Sequence, residues 1–518
     1  MSSSQSNQPL PNTFQVSSGF YITMSSSRSQ QPHFVLIPLM TQGHLIPLID
    51  IAKLLAQREA IVSIITTPLN AARVGDIVDR SIQSGLPIRI LRVKFPATEV
   101  GLPEGCESTD TLPSQDLIKN FIRGMDMLQQ PIQHLFEELE PRPSVVICDK
   151  NLPWTADIAS KFKIPRILFD GTNCFTLLCS HNLHKSKIHE TTVFDTQKFV
   201  VPGLPDRIEL TRAQLPGIFN PGSKLELTNY RVKVRESEAG AYGVLINSFE
   251  ELEAEYVQGC RNDARRKVWC IGPVSLCNKE ALDMAQRGNK ASIDVNQCLK
   301  WLDSQATNSV IYVCFGSLNN LTPPQLVELG LGLEATNRPF IWVIRGGYKR
   351  EEMEKWLAED GFEERVKGRG LLIRGWAPQV LILSHQAIGG FLTHCGWNST
   401  VEAICAGVPM ITWPLYGEQF FNEKLLVQVL EIGVQVGTEV VVPLGEEEKL
   451  GVVVYKDNVK EAIVKLMTED EDGDQRRERA RKLAEMARKA VEEEGSSYHN
   501  ITLFIEDVIQ QVKNKTII

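Results

Sequence analysis

From residue 33 onward, short apolar runs alternate with stretches in which apolar residues recur every three or four positions. "HFVLIPLM" (33–40) reads as a buried strand, "HLIPLIDIAKLLAQRE" (44–59) as a helix, and "IVSIITT" (61–67) as a strand again. "SVVICD" (144–149), "WTADIASKF" (154–162) and "RILFDG" (166–171) repeat the theme. Strands apolar on both faces predict a parallel sheet covered by helices on both sides.

The alternation lapses over 275–296, where "SLCNKEALDMAQRGNKASIDVN" is polar and reads as an interdomain linker. It restarts with "SVIYVCFGS" (309–317), the Pro-initiated helix "PPQLVELGLGLEAT" (323–336), and the strands "FIWVIRG", "GLLIRGWA" and "GGFLTH". The expected architecture is α/β, with two Rossmann-like doubly wound domains at 33–274 and 297–475. C-terminal helices (476–518) are expected to pack back on the first domain. The acidic "TEDEDGD" (468–474) reads as a solvated loop between two charged helices. The Ser/Gln/Asn-rich residues 1–32 read as a flexible tail, with Met24 as an alternative start.

Composition narrows the function classes. A chain of 518 residues with 55 basic and 63 acidic side chains carries a net charge of −8, which argues against a general nucleic-acid binder. Eleven cysteines, odd in number and without zinc-type spacing, read as reduced, mostly buried thiols. No apolar run reaches the ~18 residues of a membrane span. The tail lacks the basic-then-apolar order of a secretory signal, so a cytoplasmic protein is expected.

Familiar motifs fall away. "GLGLEA" (330–335) has the letters of a loose dinucleotide fingerprint but lies inside a helix. Walker A, HExxH and Gly-x-Ser-x-Gly sequences are absent. In an open parallel sheet, ligands bind beyond the carboxyl ends of the strands. His44 follows the first strand and Asp149 ends another. Paired, the carboxylate would fix the imidazole tautomer and leave the second ring nitrogen free as a base for a substrate hydroxyl. Unpaired, His44 caps its helix and Asp149 merely ends a strand.

The densest polar cluster is "GGFLTHCGWNSTVEAICAGVPMITWP" (389–414). A strand ends at His394, a tight turn follows, and a short helix over 399–406 closes at Gly407. A helix N-terminus with unpaired N–H groups binds phosphate, and His394, Asn398, Ser399 and, from another strand tip, Ser317 add donors. Glu402 suits the two hydroxyls of a ribose, or else completes a capping box with Ser399. Trp376 offers a flat face to a base, with Ala377 and Gln379 beside it, or else is a core tryptophan. The parts together describe a nucleoside-diphosphate site.

"WAPQVLILSHQAIGGFLTHCGWNSTVEAICAGVPMITWPLYGEQ" (376–419) closely resembles the signature box of plant family 1 UDP-glycosyltransferases. The likeness runs from "HFVLIPLMTQGHLIP" to the C-terminal helix, and "GLPEG", "PRPS", "GPVSLCNK" and "QCLKWLDS" resemble the subgroup acting on triterpenoids, steroids, flavonoids and cytokinins. The resemblance implies a GT-B fold whose two domains face each other across a cleft, the first binding the acceptor and the second the UDP-sugar. It implies His44 as general base with Asp149 as partner, Trp376 and Ala377 at the uracil, and Gln379 and Glu402 at the ribose. Ser317, His394, Asn398 and Ser399 would hold the diphosphate, and Trp397, Glu418 and Gln419 the sugar hydroxyls. Thr41, Lys150, Gly417 and Glu418 depart from the usual pattern, the last two bearing on donor-sugar preference.

The implied activity is inverting, UDP-glucose-dependent transfer to a hydroxyl or carboxyl of a small lipophilic metabolite. No metal or cofactor is implied beyond the donor, and a monomer is expected. Alternatives are another UDP-sugar, a catalytically silent small-molecule-binding protein on the same fold, and a UDP-sugar epimerase-like enzyme. Segments 95–105, 120–130 and 151–155 are expected around an apolar, Met-lined acceptor pocket.

Overall fold

In the computed structural model, which describes residues 31–219, 225–262, 266–318, 321–345, 350–443 and 445–516, the apolar runs become the strands of two parallel sheets. The chain begins with β1 (His33–Ile37), β2 (Ile61–Thr66), β3 (Ile88–Arg92), β4 (Val145–Asp149) and β5 (Arg166–Asp170). A small antiparallel ribbon, β6 (Lys198–Val200) with β7 (Glu209–Thr211), precedes β8 (Gly243–Ile246) and β9 (Lys267–Cys270). The second sheet contains β10 (Val310–Cys314), β11 (Phe340–Ile344), β12 (Gly370–Arg374), β13 (Ile388–Thr393), β14 (Met410–Thr412) and β15 (Gly433–Gln435). The tail expected over 1–32, including Met24, lies outside the described residues except for its last two positions.

Strand order makes the two halves equivalent. The first sheet runs β3-β2-β1-β4-β5-β8-β9 and the second β12-β11-β10-β13-β14-β15. Each reverses direction once, between β1 and β4 or between β10 and β13, and that reversal opens a crevice at the carboxyl ends of the two strands. Ile37 pairs with Cys148 across the first reversal and Cys314 with Thr393 across the second. The residues that follow these strands therefore face the crevices. β1, β4, β5, β10 and β11 are buried along their whole length, as covered parallel strands must be.

Residues 275–296, which connect the sheets, include the short helix Ala281–Ala285 and pack against the first half: Lys53 Nζ donates to Asn278 Oδ1 at 2.8 Å and Asp283 Oδ2 at 2.7 Å. At the far end, helix Ser496–Thr516 lies on the first sheet, where Phe504 packs against Phe34 and Trp269. The acidic string is not a loop. Asp470 caps a helix running Glu471–Val491 by accepting from the Gly473 N–H at 2.9 Å, and the following acids occupy the first turn, where the helix dipole favours them. "GLGLEA" lies within helix Pro323–Ala335. All eleven cysteines are unpaired and nine are buried. No helix among the described residues is long and apolar enough to cross a membrane.

Candidate active site

At the first crevice, helix Gln42–Ala56 starts one short turn after β1 and presents His44 in its first turn. Asp149, the last residue of β4, is fully buried, and its Oδ2 is hydrogen-bonded to His44 Nδ1 although 105 residues separate them in sequence. The other oxygen, Oδ1, accepts from the Asn151 backbone N–H at 2.8 Å and its side-chain amide at 3.0 Å. A carboxylate held on both oxygens is rigid, and it fixes the imidazole with Nδ1 as donor. The His44 side chain keeps 28% exposure, and its Nε2 has no hydrogen-bond partner among the described residues.

Electrostatics follow the geometry. Burial alone would lower the His44 pKa, but the Asp149 charge and hydrogen bond outweigh it and raise the pKa above 6.5. Burial likewise opposes the Asp149 charge, yet His44 beside it holds the carboxyl below its ordinary value. Lys150, the next residue, pairs with Asp170 at the end of β5 at 2.7 Å. Glu418, from the second half, lies near enough for His44, Lys150 and Asp170 to act on its charge, and burial raises its pKa.

At the second crevice, the helix after β13 runs Trp397–Ala406 with Gly396 as its N-cap, two residues earlier than the sequence pattern predicts. Ser399 is thus inside the first turn, and no capping box forms with Glu402. Instead Glu402 Oε2 accepts from Gln379 Nε2 at 2.8 Å, and Oε1 takes a hydrogen bond from Arg287. Gln379 Nε2 also donates to Ser399 Oγ at 3.0 Å, so three of the expected nucleotide contacts already form one network.

His394 is buried between two glycines. A Cβ on Gly316 would fall 2.6 Å from its Cε1, and one on Gly396 would fall 2.3 Å from its Nε2. Gly316 also has a φ of +73°, so glycine is required there twice over. Burial pushes the His394 pKa down to about 4, so the ring is neutral at pH 7, and its buried Nδ1 has no partner among the described residues. Half-buried Ser317 follows Gly316 at the tip of β10.

Other predicted residues have prior partners. Asn398 Nδ2 donates to the Gly43 carbonyl, next to His44, while its buried Oδ1 has no partner among the described residues. Trp397 is 2% exposed and its indole donates to the Asn247 carbonyl at 2.7 Å, so only its backbone remains for a sugar hydroxyl. Gln419 Oε1 accepts from the Leu415 and Tyr416 N–H groups at 2.9 and 3.1 Å, which turns its amide nitrogen away from them. Half-buried Trp376 is fixed by Ser292 Oγ, 2.8 Å from its N–H, and by the Arg287 carbonyl, 3.1 Å from its indole nitrogen. Ala377 is buried, its carbonyl accepting from the Gln379 N–H at 2.8 Å.

Arg345, which sequence reasoning missed, lies with its guanidinium carbon 5.8 Å from the Trp376 ring centre and donates to the Gly316 carbonyl at 3.1 Å. A cavity of about 340 Å³ opens beside Trp376, Arg345 and Ser292. Arg345 lies just past β11, a strand-tip position of the same kind as that of His44 after β1. Around the expected acceptor segments, Phe95 stacks on Phe121 at 5.1 Å, Met125 is buried with them, and Met127 is largely exposed, so the methionines there do not share one lining.

Comparison with known proteins agrees with this fold. Residues 246–474 match the family described as UDP-glucoronosyl and UDP-glucosyl transferase. The chain is 53% identical over 490 residues to UDP-glycosyltransferase 73C25 of Barbarea vulgaris, covering 94% of this chain and 98% of that one. It is similar to the crystal structure of Glycyrrhiza uralensis UGT73P12 complexed with glycyrrhetinic acid 3-O-monoglucuronide (TM-score 0.86, 37% identity, 94% and 97% coverage). Arabidopsis thaliana UGT89C1 complexed with UDP-L-rhamnose is a further likeness (TM-score 0.71, 29% identity, 92% and 99% coverage).

Proposed function

Because the chain belongs to the plant family 1 UDP-glycosyltransferases, enzymes of the GT-B fold that draw on a UDP-sugar donor, we propose the particular reaction as inverting O-glucosylation from UDP-glucose. The acceptor is a small lipophilic plant metabolite of triterpenoid, steroid or flavonoid type, attacked through a hydroxyl or carboxyl. The observation that carries this reading is the His44–Asp149 hydrogen bond at the first crevice, with Nε2 left over. Asn398, bonded to the Gly43 carbonyl, brings the second crevice against the same turn.

His44 Nε2 takes the acceptor proton as the acceptor oxygen attacks the anomeric carbon from the side opposite UDP. Asp149 holds the ring and stabilises the imidazolium that forms. The bond to UDP breaks through an oxocarbenium-like transition state, as in other glycosyl chemistry. Negative charge gathering on the diphosphate meets the N–H groups at the start of helix Trp397–Ala406, with His394 and Ser317 as further donors. The base stacks on Trp376, its edge read by the Ala377 backbone, and Gln379 and Glu402 take the ribose hydroxyls. Glu418, Gln419 and the Trp397 backbone take the hexose.

By the family resemblance a Gln closing the signature segment, here Gln419, goes with glucose, and this supports UDP-glucose as donor. The likeness to a structure with UDP-L-rhamnose keeps another UDP-sugar as the competing donor, and the likeness to one holding a glycyrrhetinic acid glucuronide favours a triterpenoid acceptor. Crossing UDP-glucose, UDP-glucuronate, UDP-galactose and UDP-rhamnose with a flavonol, a sapogenin and a cytokinin tests the assignment. UDP-glucose should be the best donor and the sapogenin the best acceptor, with product of inverted anomeric configuration by NMR. Retained configuration would exclude the single displacement, and a different best donor would replace glucose.

A further inference from the structure

The stretch that reads from sequence as a plain linker places a buried cation between two buried carboxylates. Arg287 donates through Nη1 to Glu402, in the helix of the second crevice, and through Nη2 to Asp50, in the helix that carries His44. The side chains of Arg287, Asp50 and Glu402 are 8%, 1% and 9% exposed. Asn278 completes the set by donating to the other Asp50 oxygen at 2.8 Å, as Gln379 does for Glu402.

The neighbouring backbone is wedged in place. Gly288 has a φ of +82°, and a Cβ there would fall 2.7 Å from the Gln42 side-chain amide and 2.8 Å from both Ile46 and Trp376. The Gln42 and Asn289 side-chain amides meet at 3.0 Å. Residues 287–289 therefore touch the His44 helix on one side and the Trp376–Glu402 surface on the other.

A carboxylate as buried as Glu402 is costly to leave unpaired, so its oxygens must be held by partners placed around it. Its ionised form offers about four acceptor positions, so Arg287 and Gln379 leave room for two ribose hydroxyls. Resting on the assignment of Glu402 to the ribose, we infer that Arg287 is a positioning residue for that sugar. It holds the Glu402 carboxylate in its aim, and through Asp50 it ties that aim to the helix bearing the general base.

Calorimetric titration of the full chain with UDP and with 2′-deoxy-UDP isolates the ribose contribution. The unmodified protein should prefer UDP by about tenfold, roughly the worth of one hydrogen bond to a charged group. Glu402→Gln should erase that preference. Arg287→Met should reduce it to within about twofold, again on the scale of a lost charged hydrogen bond. Arg287→Lys, which keeps the charge, should retain part of it. Asp50→Asn, which leaves Arg287 and Glu402 in place, should give an intermediate loss, and it stands in if Arg287→Met does not fold. Full preference in Arg287→Met, or equal weakening of both nucleotides, overturns the role of Arg287; if only Asp50→Asn folds, full preference there does the same. Full preference in Glu402→Gln instead removes Glu402 from the ribose, and the role of Arg287 with it.

Discussion

Each half of the molecule places one histidine just beyond a central strand, and the two rings are prepared in opposite ways. His44 follows β1, keeps part of its surface in solvent and leans on a buried carboxylate that raises its pKa. His394 follows β13, is enclosed by Gly316 and Gly396, and burial lowers its pKa to about 4. The same side chain, set on opposite members of the two strand pairs that flank the reversals, is thus made ready to gain a proton in one half and to stay neutral in the other. The difference lies in the neighbour across the strand reversal: β4 supplies Asp149 to His44, whereas His394 meets glycine backbone. On the reaction proposed above, the first ring moves a proton and the second only donates a hydrogen bond.

The comparison breaks most readily at His44. His44→Ala should lower turnover by ~10²–10⁴-fold, the usual worth of a general base, while UDP affinity stays near its original value. Steady-state rates and a UDP titration on one preparation decide it, and unchanged turnover removes His44 from the chemistry. Asp149→Asn leaves the ring in place but offers it an amide; a loss of about 10²-fold is expected, since orientation and charge support both weaken. Normal activity in that variant would leave the two histidines alike.

A smaller effect sharpens the other side. Gly316→Ala adds a methyl 2.6 Å from His394 Cε1 at a φ of +73°. Strain of that kind costs about 1–3 kcal/mol, so the melting temperature should fall and UDP should bind more weakly as His394 is displaced. Thermal denaturation and calorimetry read the two effects together. An unshifted melting temperature would show that the ring has room to move, against the enclosure described here.

How far these features were legible differs between the halves for a physical reason. The second site is carried largely by one continuous segment, 376–419, so its strand, turn and helix announce themselves in order. The first is built from His44 and Asp149, and only the adjacency of β1 and β4 unites them; the strand ends pointed to that pairing without establishing it. What escaped was decided by tertiary contacts. Arg287 has no local periodicity to mark it, and its partners come from residues 237 and 115 positions away. The helix expected to begin at Ser399 begins at Trp397 because Gly396, extended at φ −62° and ψ 137°, serves as N-cap, which frees Glu402 from the capping box. The acidic run 468–474 reads as a loop because charge alone does not distinguish a solvated turn from a helix start favoured by its dipole.

The pH dependence gives the finest test of the contrast. A general base acts only when deprotonated, so kcat/KM should rise with pH through the His44 pKa. Asp149 raises that pKa, so the midpoint of the acid limb should lie above 6.5. The protonated ring is also the form the buried carboxylate stabilises. That increment of stability is present below 6.5 and fades as pH climbs through the raised value. In Asp149→Asn the opposing charge is gone and burial is left, so the limb should move to lower pH. His394, neutral down to about pH 4, should contribute no change in UDP-sugar affinity between pH 5.5 and 8, a window of about two and a half units in which its charge stays constant. An aliphatic alcohol as acceptor keeps substrate ionisation out of the profile. A limb centred below 6.5, or one that Asp149→Asn leaves in place, would mean that the carboxylate does not set the basicity of His44.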